Sequence, residues 1–179
     1  MSNKTLVLSA VLLAAIIITA NYTVQFQIMH SPLTYGALTY PFSFLVLDIL
    51  SERYSKKETL KTLWLGLLLA FVPSYFAASP QIAIASIAAF CLSQPLDVVL
   101  FYLLKKNAPK IWWLRGVSST LIAQLLDTIV FFLIAFWGVV SLGETLTMAF
   151  ADYTIKAVLG AINIPLFYYF AIARVKAAL

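Results

Sequence analysis

Apolar runs separated by short polar clusters dominate this chain. Six can be traced, at residues 5–27, 33–50, 60–78, 81–104, 117–142 and 147–173. Each approaches the about 20 apolar residues that a helix needs to cross a bilayer. The second run is short and carries Gly36 and Pro41, which predicts a kinked or partly re-entrant helix. The first follows Lys4, but it is longer than the apolar region of a signal peptide and no A-x-A site closes it. It is therefore expected to remain as a permanent helix.

Composition supports that pattern. Of 179 residues, 63% are hydrophobic and 11% charged, against roughly 45–50% and about 25% in soluble domains. The mean hydropathy is +0.96. The expected fold is an all-α integral membrane protein with six transmembrane helices, forming one domain over 1–179. No loop is long enough for a soluble catalytic or nucleotide-binding domain, and no Walker glycine loop occurs, so any ATP must be hydrolysed by another protein. The single cysteine, Cys91, cannot form an intrachain disulfide. The single histidine, His30, excludes a His-rich metal site. No cofactor or metal is expected.

The net charge of +5 invites a nucleic-acid reading, which its distribution removes. Lys4 precedes the first run, and Arg53, Lys56, Lys57 and Lys61 lie between the second and third. Lys105, Lys106, Lys110 and Arg115 lie between the fourth and fifth, and Arg174 and Lys176 follow the sixth. The connections around 30–32, 77–80 and 141–144 carry no Lys or Arg. Eleven of the twelve basic residues thus fall on one side of a six-span layout. The positive-inside rule makes that side the cytoplasm, with both termini there, in a multi-pass inner-membrane protein. Trp112 and Trp113 fit an interfacial belt, and the charged segment 51–61 reads as an interfacial turn or short helix.

Intramembrane polar residues carry the candidate chemistry. Gln94 and Asp97 on the fourth run, and Gln124 and Asp127 on the fifth, both read Q-x-x-D-x-x-x-F, 30 residues apart. Residues three apart share a helix face, so each pair sets an amide beside a carboxylate. Counting about 1.5 Å per residue from the basic ends places all four near mid-bilayer. A carboxylate there needs a partner or a water-filled cavity. Interhelical hydrogen bonding alone would explain one such pair; two pairs point to a polar cavity, which Asn21 and Asn163 are placed to line as well. Lys156 follows Asp152 by four residues, and its default reading is an ion pair within the sixth helix. Carboxylates and amides suit a guanine-like edge, which offers paired N–H donors and a carbonyl. Phe44, Phe101 or Phe131 could stack on a planar ring. A cationic amine would also suit the carboxylates, and an anion would not.

The stretch from Thr39 to Tyr54, TYPFSFLVLDILSERY, resembles the signature of the queuosine precursor transporters, formerly grouped as vitamin uptake transporters. Gln94 with Asp97, Trp112-Trp113-Leu114-Arg115, Ser119-Thr120 and Gln124 with Asp127-Thr128 resemble the same family's fourth-to-fifth helix block, in the same order. The likeness runs from about 21 to 163, with Ser55 standing where the family usually has Gly. It implies a bacterial six-helix importer of 7-deazaguanine precursors (preQ0, preQ1 or queuine), with a fold resembling the substrate-binding component of energy-coupling-factor transporters. Carried over by motif, Asp48, Glu52, Gln94, Asp97, Gln124 and Asp127 are candidate functional positions. For Asp48 and Glu52 the alternative is a helix cap or a salt bridge to Arg53.

Three functions stay open at this point: a secondary or facilitated transporter of a planar deazapurine, a substrate-binding component driven by a partner ATPase, and a membrane enzyme or assembly factor. The last is weakened by the absence of a metal-ligand pattern or nucleophile–base pair. The implied partners are a small-molecule substrate and the lipid bilayer, not nucleic acid. A homodimer is compatible with the sequence. A small-xxx-small motif at Ala10 and Ala14 could dock a partner helix.

Overall fold

The computed structural model describes residues 1–29 and 34–173. These form α1 (Asn3–Thr23), α2 (Tyr35–Thr39), α3 (Pro41–Arg53), α4 (Lys56–Ala77), α5 (Pro80–Asn107), α6 (Trp112–Ala135) and α7 (Leu142–Phe167), followed by a π-helical segment, Tyr168–Ala173. No β-strand occurs among the described residues. His30, the rest of the 30–32 connection, residue 33, Arg174 and Lys176 lie outside them.

Five helices are long and apolar enough to cross a membrane, so the chain is a multi-pass membrane protein. The expected second span is instead shared by α2 and α3. Pro41 has no N–H to give the carbonyl four residues back, and the helix breaks at Tyr40, whose carbonyl takes the Ser43 N–H at 3.0 Å. Tyr40 itself keeps helical dihedrals, φ −59° and ψ −42°, so the interruption at Pro41 is one of hydrogen bonding.

Three boundaries differ from the hydropathy reading, each for a local reason. The fifth segment starts at Trp112, not 117, because Arg115 is neutralised by Glu52 and so is tolerated inside the helix. It ends at Ala135, not 142, because the chain turns through Gly138 at φ +73°, a conformation glycine adopts without strain. The last helix starts at Leu142, not 147. There Ser141 and Glu144 form a reciprocal capping box that satisfies otherwise unpaired N-terminal N–H groups. The same device, Ser55 with Glu58, starts α4, so the 51–61 segment is a break between two helices.

Antiparallel α5 and α6 form the most extensive pairing, and α1 packs on α4. At that second crossing Gly66 lies under Ala10 and Leu13; an added Cβ would stand 2.9 Å from Leu13 Cδ2. Ala10 and Ala14 are buried there, so the small-residue face of α1 holds α4 within the bundle. It is not left for a partner helix. Leu13, Ile17, Phe44, Leu47, Leu63 and Val98 fill the main core. Leu45, Phe101 and Phe167 fill a second one near the basic end, with Ala171 and Ile172 from the π-helical segment. Trp112 stacks on Phe167 with ring centroids 6.2 Å apart, which makes it a packing residue, whereas Trp113 stays half exposed.

Candidate functional site

A cavity of about 470 Å³ opens between α1, α2, α5, α6 and α7, within the usual 300–1,000 Å³ of small-molecule sites. Its rim includes Gln25, Gln27, Thr34 and Phe136, at the end of the bundle that carries no Lys or Arg in its loops. Aromatic rings line its walls. Tyr40 and Phe90 are stacked 4.7 Å apart and nearly parallel, and Phe131 and Phe132 come from α6.

Its floor is charged. Asp127 Oδ1 accepts hydrogen bonds from Tyr40 Oη at 2.5 Å and Ser93 Oγ at 3.0 Å. Asp127 Oδ2 lies 3.5 Å from Lys156 Nζ, which also meets Asp152 Oδ2 at 2.7 Å. The ammonium further donates to Thr128 Oγ1 at 3.3 Å and sits 4.8 Å from the centre of the Tyr40 ring. Lys156 therefore joins two carboxylates on two helices. All three are buried, and a charge in such surroundings persists only when paired and hydrogen-bonded. Asn21 completes the floor, its buried Nδ2 having no hydrogen-bond partner. Carboxylate acceptors and amide or ammonium donors thus face one space.

The remaining candidates lie elsewhere. Asp48 and Asn163 line a smaller cavity of about 80 Å³ between α3, α6 and α7. Asn163 Nδ2 also donates to the Pro41 carbonyl at 3.3 Å, which fastens α7 to the break before α3. Gln94 is fully buried and donates to Ser43 Oγ at 2.7 Å. Asp97, also fully buried, meets Thr120 Oγ1 at 3.4 Å. Gln124 is buried with both amide atoms unpartnered, its Oε1 3.9 Å from where a Cβ on Gly160 would stand. None of these three lines either cavity. Phe44 and Phe101 are core residues, so of the three proposed stacking rings Phe131 alone lines the larger cavity.

Glu52 lies at the basic end, bound by Arg115 Nε at 3.1 Å and Lys105 Nζ at 3.7 Å. Its partner is not Arg53, which donates to the Phe170 carbonyl. Tyr40, Ser93 and Asp152 were not singled out as site residues from the sequence. For Asp152 and Lys156 a signal existed: Lys156 is the one basic residue away from the basic end. Tyr40 carries no such mark, being one tyrosine among nine.

Comparison with known proteins adds to this geometry. A family model described as "Putative vitamin uptake transporter" matches residues 34–76 and 72–170. A Bacillus subtilis protein named probable queuosine precursor transporter is 31% identical over 160 residues, covering 75% of this chain and 70% of its own. A Haemophilus influenzae protein of the same name is 31% identical over 152 residues, covering 72% and 64%. The Escherichia coli queuosine precursor transporter is 28% identical over 172 residues, covering 82% and 77%. These relatives are named as transporters, not enzymes. No solved structure matches the chain.

Proposed function

The chain belongs to the vitamin uptake transporter family, and from that premise we propose that it imports a 7-deazaguanine precursor of queuosine across the bacterial inner membrane. The observation that carries the reading is the Asp127–Lys156–Asp152 cluster flooring an aromatic-walled cavity. A flat bicyclic base would stack on Phe131, where stacking contributes beyond simple burial, since the Tyr40 ring is already covered by Phe90 and Lys156. Its amino and ring N–H groups meet the carboxylates, and its carbonyl meets Asn21 or Lys156. Two carboxylates and one ammonium leave the floor with one net negative charge, which disfavours anions. The names of the relatives support a transporter and give no support to an ATPase-driven component. The basic end faces the cytoplasm by the positive-inside rule, so the cavity opens outward and the substrate enters from there.

The test is binding and uptake by Asp127→Asn, normalised to folded protein. Asparagine keeps the shape but replaces an acceptor oxygen with an NH₂ donor. Loss of a charged hydrogen bond costs about 1.5–3 kcal/mol, so affinity for preQ0 or preQ1 should fall by about 10- to 100-fold. Near-normal affinity would remove Asp127 from the site. Uptake by purified protein in liposomes without any ATPase is expected; a strict ATPase requirement would overturn autonomous transport.

A further inference from the structure

The bundle buries two pairs of carboxylates, and only one pair has a cation of its own. Asp127 and Asp152 share Lys156. Asp48 on α3 and Asp97 on α5 both lie within reach of Thr120 on α6, with Thr120 Oγ1 3.1 Å from Asp48 Oδ2 and 3.4 Å from Asp97 Oδ1. A threonine hydroxyl has one proton and donates to one of them at a time. Asp48 Oδ1 and Asp97 Oδ2 are buried and make no close hydrogen bond, Ser119 is the other hydroxyl beside Asp97, and the two residues are 6% and 0% exposed.

The charged groups on the surrounding elements are already engaged. Glu52, one turn beyond Asp48 on α3, holds Lys105 of α5 and Arg115 of α6. From α7 the wall of the adjoining cavity is Ala157, Gly160, Ala161, Asn163, Ile164 and Phe167, none of them charged. Among the described residues, therefore, no basic side chain pairs with Asp48 or Asp97. Two charged carboxylates so placed in a low-dielectric interior are unfavourable unless one of them holds a proton. The cavity that Asp48 lines, about 80 Å³, is far below the ~300 Å³ lower bound of small-molecule sites, yet it has room for water. Gly116 makes the approach possible, since a Cβ there would stand 3.2 Å from Asp48 Oδ2.

We propose that Asp48 and Asp97, bridged by Thr120, are the proton-carrying site that couples substrate import to proton entry. One proton is taken up from the outer side of the membrane, bound by the carboxylate pair that the smaller cavity adjoins, and released on the inner side. The substrate moves in the same direction. The proposal rests on the transporter reading above.

Proteoliposomes loaded for equilibrium exchange of labelled preQ0 separate the two. Absent exchange means that the transporter reading has failed. Where exchange occurs, an inside-alkaline gradient of one pH unit, with the potential clamped, should drive accumulation of up to about tenfold. Asp48→Asn and Asp97→Asn should each bring the ratio of uptake with and without the gradient to one. A wild-type ratio of one, or a response to a sodium gradient only, overturns proton coupling, and these wild-type readings decide the case even where a variant does not fold. Should exchange be absent, infrared difference spectra of the purified protein read the site directly. A protonated carboxyl band lost in Asp97→Asn supports the site, and its absence overturns it.

Discussion

Lys156 shows how one side chain can bind several helices through charge alone. It touches Asp152 on its own helix, Asp127 and Thr128 on α6, and the face of Tyr40. Replacing it with methionine keeps the volume and leaves two buried carboxylates without a counter-ion. Breaking a buried pair from one side costs about 3–5 kcal/mol. Lys156→Met should therefore lower the thermal stability of the detergent-purified protein, and the double variant with Asp152→Asn should recover part of the loss. An unchanged melting temperature for Lys156→Met would show that the cluster contributes no stability. The i,i+4 spacing of Asp152 and Lys156 was legible in the sequence. Their reach to Asp127, 29 positions before Lys156, was not, because helix periodicity says nothing of which helices adjoin.

At the scale of elements, close helix crossings and clamped ends decide the shape of the cavity. Gly66 lets α4 approach α1, with Ala10 O 3.2 Å and Leu13 Cδ2 2.9 Å from where a Cβ would stand. A backbone oxygen cannot move aside as a side chain can, so Gly66→Val should force the helices apart. Overpacking of this kind costs about 1–3 kcal/mol, read as a lower midpoint of thermal unfolding. A midpoint equal to wild type would mean that the crossing is loose. At the opposite face Glu52 ties α3 to α5 and α6 through Lys105 and Arg115. The capping boxes at Ser55 and Ser141 are readable as S-x-x-E, yet hydropathy alone put the last helix five residues late. Composition marks where a chain is apolar, whereas hydrogen bonding at the first turn marks where a helix begins.

For the whole molecule, the distribution of basic residues predicts its placement in the membrane. In a background with Cys91 replaced by serine, a cysteine at Ser55 should resist a membrane-impermeant reagent added outside intact cells. One at Val139, exposed in the loop beside the cavity rim, should react. The reverse pattern would invert the molecule and with it the direction in which the larger cavity opens.

Membrane class, helical content, approximate spans and the deep placement of Gln94, Asp97, Gln124 and Asp127 follow from the order of amino acids. They depend on local quantities: hydropathy over about 20 residues, charge near helix ends and spacing along one helix. The division of labour among those polar residues belongs to the tertiary structure. Gln94 and Asp97 match Gln124 and Asp127 in spacing, and nothing local distinguishes Asp97 from Asp127. Asp127 meets Lys156 and Tyr40 at the floor of a cavity, while Asp97 meets Thr120 deep in the packing. What separates them is which side chains of distant segments arrive opposite, and that is settled only when all the helices pack together.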